Sequence, residues 1–147
     1  MDSEMKLSLR PARSEDFGFL WKLHNAALKD YVTEVWGWDE KLQRKLFEKT
    51  FNPASGRVIV VDGDDAGFLE VFDKQTETLL SSIRLLPAFQ NKGIGTRLIR
   101  SVIAEARRKN QSVRLQVLKI NPARRFYERL GFQTFEETET HFRMRLK

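Results

Sequence analysis

The chain contains no cysteine, which excludes disulfides, thiolate metal ligands and a cysteine nucleophile. It also lacks any apolar run near the ~18 residues that a membrane span needs. Its start, Met1-Asp2-Ser3-Glu4-Met5-Lys6, has none of the apolar segment of a secretory leader. These absences lead to the expectation of a cytoplasmic protein with no membrane partner, and no metal site is expected. No repeat, linker or low-complexity stretch interrupts the 147 residues, so a single domain over 1–147 is expected, long enough to bury a core. Acidic side chains are scarce in one region: residues 84–129 hold 12 basic side chains against only Glu105 and Glu128, whereas residues 1–83 hold 11 basic and 15 acidic. The net charge of +6 permits nucleic-acid binding, but the placement of the excess suits a polyanionic small molecule at least as well. The aromatics that nucleic-acid readers interleave with basic residues are nearly confined there to Phe89, Phe126 and Tyr127.

What the chain does contain is a pair of glycines at a strand-to-helix junction. After Ile83-Arg84-Leu85-Leu86-Pro87-Ala88-Phe89, an apolar run, the segment Gln90-Asn91-Lys92-Gly93-Ile94-Gly95-Thr96 leads straight into an amphipathic helix. Glycines two apart let the backbone approach a ligand, and the helix start offers unpaired N–H groups and the positive end of its dipole. Lys92 and Arg97 add full charges. The pattern is that of a phosphate cradle, with an ordinary turn as the plain alternative. The dinucleotide fingerprint G-x-G-x-x-G fails at Leu98, and the nucleotide-triphosphate loop fails because Lys92 precedes Gly93 and Gly95 runs into Thr96-Arg97.

Along the chain, residues 6–10 alternate as a first strand ended by Pro11. Ser14 is the expected N-cap of a first helix, with Phe17, Leu20, Trp21, His24, Ala27, Leu28 and Tyr31 on one face. Residues 35–39 break that pattern. A second helix from Asp39 turns Leu42, Leu46 and Phe47 inward and stops at Asn52-Pro53. Trp36 and Trp38, read as part of a connection, either fold back onto the core or wall a substrate pocket, for which Tyr31 and Trp36 are the candidates. Arg57 to Val61 reads as a buried strand, Asp62-Gly63 as a hairpin turn and 66–72 as the returning strand. Glu70, between Phe68 and Phe72, is a general-base candidate on a covered face and an ordinary surface acid on a solvated one. Residues 77–86 form the strand before the cradle. The helix after Gly95 turns Leu98, Val102, Ile103 and Ala106 inward, and 113–117 alternates as a strand. Asn121-Pro122 opens a last helix that ends at Gly131, followed by strands at 132–135 and 140–146.

The motif Gln90-x-x-Gly93-x-Gly95, after a strand ending Leu85-Leu86-Pro87, resembles the acyl-coenzyme A motif of the GNAT superfamily of N-acyltransferases. Further on, Asn121-Pro122-Ala123-Arg124-Arg125-Phe126-Tyr127-Glu128-Arg129-Leu130-Gly131-Phe132 resembles that family's second cofactor motif, N-x-x-A-x-x-x-Y-x-x-x-G-F, with Asn121 two rather than three residues before Ala123. The order strand, two helices, three strands, helix, strand, helix, two strands matches the family along essentially the whole chain. The resemblance implies an α/β (α+β) fold: a central mixed, mostly antiparallel seven-stranded sheet, splayed between strands 4 and 5, with helices on both faces. It implies that Gln90, Asn91, Lys92, Gly93, Ile94, Gly95 and Thr96 hold the pyrophosphate of acetyl-coenzyme A, the acyl donor. It also implies that the pantetheine arm pairs as an added strand beside Leu85 and Leu86, that the Leu85 amide polarises the carbonyl, and that Asn121 and Phe126 contact the cofactor. Tyr127 is implied as the donor of a proton to the departing thiolate, against the alternative of a core tyrosine with a structural partner.

The chemistry asks for such groups. An amine with a pKa of about 10.4 must lose a proton before it attacks a thioester. Glu70, Glu34, His24 and His141 are the candidate bases, and Arg84 stands where some relatives carry an acid. The expected activity is transfer of acetyl from acetyl-coenzyme A to a primary amine by direct attack in a ternary complex. The acceptor is a small molecule or a protein amino group, and the acidic first half leans towards a cationic one. A non-catalytic coenzyme A-binding module and a small basic nucleic-acid-binding domain are the alternatives. Nucleic acid is not the expected partner, and a homodimer stays open.

Overall fold

The structure is a computed structural model that describes residues 5–147, apart from the side chains of 27–36 and of Pro53. In chain order it comprises β1 (Leu7–Pro11), α1 (Phe17–Trp36), α2 (Glu40–Thr50), β2 (Arg57–Val61), β3 (Asp64–Asp73), β4 (Glu77–Leu85), α3 (Ile94–Arg108), β5 (Ser112–Leu118), α4 (Ala123–Arg129), β6 (Gln133–Glu137) and β7 (His141–Leu146). Short 3-10 turns occupy Ser14–Asp16, Pro53–Ser55 and Pro87–Phe89. Among the described residues, seven strands hydrogen-bond in the order β1-β2-β3-β4-β5-β7-β6. The ladders β1/β2, β2/β3, β5/β7 and β6/β7 are antiparallel, and β4/β5 is parallel. The sheet is thus mixed and mostly antiparallel, as expected. The β4/β5 ladder runs from Glu77↔Ser112 to Leu79↔Arg114, whereas β4 continues to Leu85 and β5 to Leu118.

Compactness divides the chain into two units, residues 1–70 with 82–94 and residues 71–81 with 95–147. In the first, Leu20, Leu23, Val58, Ile59, Val61, Ala66, Leu69 and Ile94 form the buried core. Asp62 and Gly63 both take left-handed backbone (φ 51° and 85°), the two-residue turn that an Asp-Gly pair favours. Ser14 does not cap the first helix. The N-cap position is Arg13, whose amide donates to the Asp16 carboxylate at 2.8 Å, the reach-back bond of a capping box, while the Arg10 guanidinium grips both Asp16 oxygens at 2.8 and 3.0 Å. That fork holds the Asp16 carboxylate below its ordinary pKa.

Two further expectations about the helices need correction. The first helix does not break at residue 35 but runs through Trp36, ending where Gly37 turns left-handed (φ 77°). In α2, capped as expected by the Asp39 carboxylate on the Leu42 amide (3.1 Å), Leu42 and Leu46 face outward, 51% and 49% exposed. The reason is Phe47. Its ring packs against Phe17, Trp21, His24 and Phe51, with centroids 5.0–5.9 Å away, and this sets the rotation of the helix. Leu46 then lies about 100° round the axis from the packed face.

In the second unit, Leu98, Ile99, Val102, Ile103 and Ala106 line the buried face of α3, alongside Val113, Leu115 and Val117 of β5, Phe132 and Met144 in the core. Gln111 is a buried amide with its valences met. It accepts from Thr78 Oγ1 (2.7 Å) and donates to Asp73 Oδ1 and the Gln75 carbonyl (both 2.9 Å).

Candidate active site

In the first unit the site residues fall on β3, β4 and the loop after it. Glu70 is half-buried on β3 and its Oε2 accepts a hydrogen bond from Ser55 Oγ, at the end of the turn before β2. Arg84, near the end of β4, is half-buried too, and its Nη1 donates to Nδ1 of His24 on α1 at 3.2 Å. A guanidinium can only donate, so Nδ1 must carry a lone pair and the imidazole proton sits on Nε2. Burial first, and the Arg84 charge second, push His24 down to about 4. An imidazole held neutral, with Nδ1 already occupied, is a poor proton acceptor at neutral pH. Burial also lowers the Arg84 pKa, while the Glu70 carboxylate supports its charge.

The backbone of β4 ends under close control. Gly67 on β3 has no room for a side chain, since a Cβ there would sit 2.1 Å from the Arg84 carbonyl oxygen. The Leu86 amide donates to the Ala66 carbonyl at 2.8 Å, and Gln90 Nε2 donates to the Leu85 carbonyl at 2.9 Å. Gln90 therefore ties the start of the loop to the end of the strand. Asn91 and Gly93 both take left-handed backbone (φ 60° and 79°), a conformation that turns neighbouring N–H groups into an anion-binding concavity. Gln90, Asn91, Lys92 and Gly93 are exposed, and Ile94 is the buried anchor at which α3 begins.

In the second unit, Gly95 and Thr96 lie in the first turn of α3, half-buried. Unlike Gly93, Gly95 is required neither by its backbone nor by packing. A Cβ there would meet only Phe126 Cζ, at an ordinary 3.8 Å. Phe126 of α4 thus stands beside the glycine pair's second member. Asn121 Oδ1 caps α4 by accepting from the Ala123 amide (2.9 Å), so that oxygen serves the helix first. Tyr127 is half-buried, with ring contacts to Phe126 (5.4 Å) and Phe132 (5.9 Å). Burial raises its pKa, which keeps the phenol protonated. Among the described residues, no group accepts a hydrogen bond from its hydroxyl. His141, at the start of β7, has Nδ1 2.8 Å from Thr140 Oγ1, and burial, then Arg143, lowers its pKa.

Tyr31, Glu34 and Trp36 lie outside the described side chains. Sequence reasoning missed Ser55, the Arg84–His24 pair and Gly67. Only Gly67 carried a local signal, a glycine inside a strand pattern, which marks a close backbone approach.

The sequence matches the profile of the acetyltransferase (GNAT) domain over residues 54–134, more than half of the chain. Among curated proteins, none matches this chain by sequence. Among solved structures, the PaiA N-acetyltransferase from Thermoplasma acidophilum in complex with coenzyme A is similar over 97% of this chain and 99% of its own, at a TM-score of 0.77 and 18% identity. An acetyltransferase from Thermus thermophilus is similar over 96% of each chain (TM-score 0.72, 17% identity). Arabidopsis thaliana Naa50, in complex with the bisubstrate analogue CoA-Ac-MVNAL, is similar over 96% of this chain and 98% of its own (TM-score 0.65, 14% identity). At such identities the likeness is one of fold. The sequence match adds what fold alone does not, because it takes in both the glycine loop and the Asn121–Tyr127 segment, and it shows that this chain belongs to the GNAT acetyltransferase family.

Proposed function

We propose that the protein transfers acetyl from acetyl-coenzyme A to a primary amine by direct attack in a ternary complex. The observation that carries this reading is Gly95, a glycine that neither its own conformation nor its neighbours require. A ligand that must reach the amides at the head of α3 supplies the missing reason. The left-handed turn at Asn91 and Gly93, with Lys92 between them, supports a pyrophosphate there. The edge of β4 beyond Leu79 supports a pantetheine arm added as a strand.

In the proposed reaction the acceptor ammonium gives its proton to Glu70, directly or through water. The freed amine nitrogen forms a bond to the thioester carbonyl carbon, and the Leu85 amide stabilises the oxyanion. As the C–S bond breaks, the thiolate takes the proton of Tyr127, and the second proton of the attacking nitrogen passes to the tyrosinate, directly or through water, which leaves a neutral amide and restores the phenol. A cysteine-free chain suits direct attack without a thiol-bound intermediate. That the Tyr127 hydroxyl has no acceptor among the described residues favours an enzyme over a binding module.

The test is thermal unfolding. Acetyl-coenzyme A at a hundred times its Kd should stabilise the fold by about 2.7 kcal/mol, and NAD should do so little. Gly95→Val should melt close to the parent without ligand, since valine is no worse than glycine in a helix, yet lose most of the shift. An equal shift with NAD, or a full shift in the variant, would overturn the reading.

A further inference from the structure

The acceptor can be narrowed from the polar groups of the first unit. Arg84 is held at its guanidinium by a neutral imidazole, His24, which itself packs against the rings of Trp21 (5.8 Å) and Phe47 (5.0 Å). A neutral partner orients the cation without cancelling it. It also uses one of five N–H donors, on a group whose planar fork matches a carboxylate. The compensating charge comes from Glu70, whose carboxylate Ser55 Oγ also holds.

A site with one fixed cation and one fixed anion selects by charge pattern. A diamine drawn to Glu70 is repelled by Arg84, a simple anion meets the reverse, and a zwitterion satisfies both. Two more atoms point the same way. Among the described residues, Asn25 Oδ1 and Ser82 Oγ are buried with no hydrogen-bond partner. Asn25 follows His24 on α1, and Ser82 precedes Arg84 by two residues on β4, so both belong to the elements that the Arg84–His24 bond joins. Buried polar atoms are ordinarily paired, and an ammonium or a carboxylic group arriving there would supply partners.

We propose that the acceptor is an amine bearing a carboxylate a few bonds from the amino group, as in a free α-amino acid, with Arg84 reading the carboxylate and Glu70 the ammonium. This rests on the acetyl-transfer reading above. It replaces the cationic acceptor to which the acidic first half of the sequence leans, because the local charge pair outweighs a distant tally.

The experiment follows thiol release from acetyl-coenzyme A with each common L-amino acid, its α-amide and the matching decarboxylated amine. The proposal expects at least one amino acid to be acetylated with a kcat/KM tenfold or more above both its amide and its amine, lost mainly through KM in Arg84→Met. Ser82→Ala should raise KM for the amino acid without lowering the melting temperature, because it removes a hydroxyl that has no partner among the described residues. Amides or amines that match or exceed the acids would overturn the proposal, as would an Arg84→Met variant that keeps the preference. Failure of every amino acid, in a protein still stabilised by acetyl-coenzyme A, would overturn the acceptor assignment alone. Loss of that stabilisation would instead strike the acetyl-transfer reading.

Discussion

Tyr127 shows how a single hydroxyl separates two readings of one residue. Its ring is packed by Phe126 and Phe132, which any core tyrosine would share, but no group among the described residues takes its proton. A structural tyrosine keeps its hydroxyl for a partner, and losing that bond costs about 1 kcal/mol. A proton donor needs its hydroxyl protonated and unspent, and burial of Tyr127 keeps it protonated. Tyr127→Phe is therefore expected to melt with the parent protein and to show the same acetyl-coenzyme A shift, while kcat falls by roughly ten- to a thousand-fold. Turnover and a melting curve on the same preparation check this. Full turnover would remove Tyr127 from the mechanism, and loss of stability in proportion to activity would return it to the core. His24 illustrates the opposite outcome. It sits where a base could be wanted, yet its Nδ1 is taken by Arg84 and its pKa is pushed down to about 4.

Elements were legible in the sequence where their causes are local. The β2–β3 turn follows from Asp62-Gly63, the buried face of α3 from its periodicity, and the loop before it from two glycines at a fixed spacing. Where the cause is tertiary, the sequence was silent. Leu42 and Leu46 have the spacing of an inward face, but the ring cluster about Phe47 turns α2 so that both meet solvent. Ser14 has the chemistry of a cap, but the helix entry is fixed one residue earlier, at Arg13, whose amide is held by the Asp16 carboxylate that Arg10 positions. The candidate site divides the same way: the strand-to-helix turn with its glycines was readable, whereas Ser55 with Glu70 and His24 with Arg84 are joined only by folding. Gly67 lies between these cases and yields a prediction about β4. A Cβ at 67 would meet the Arg84 carbonyl oxygen at 2.1 Å and Leu85 Cδ2 at 2.9 Å, and the first of these is backbone that cannot swing aside. Gly67→Ala should thus cost roughly 1–3 kcal/mol in urea unfolding as β4 is displaced, with kcat falling as the Leu85 amide moves. An alanine variant of unchanged stability would contradict the close approach.

For the molecule as a whole, acid should act in two stages. His24 has a folded pKa lowered from 6.5 to about 4, so the unfolded chain binds its proton first, and stability declines as pH falls from about 6.5 to about 4. His141, also lowered, adds in the same direction. Asp16 and Asp73 have depressed folded values, Asp73 down to about 2 through Gln111 first, then the Gln75 amide and Lys109. Their contribution is present above the ordinary carboxylate range and is lost as pH drops from about 4 towards 2. Urea midpoints measured from pH 7 to pH 3 should fall in both windows, and His24→Asn should flatten the first. A midpoint constant between pH 6.5 and 4 would contradict the buried, neutral imidazole. Among the described residues, no helix is long and apolar enough to cross a membrane, and no group of His, Cys, Asp and Glu could hold a metal ion. The central claim is tested most directly by thiol release from acetyl-coenzyme A in the presence and absence of an amine, with the acetyl group traced by mass spectrometry. The account predicts release that depends on the amine, acetyl recovered on the amine nitrogen, and no acetylated protein intermediate. Release that ignores the amine, or acetyl found on the protein on the path to product, would contradict it.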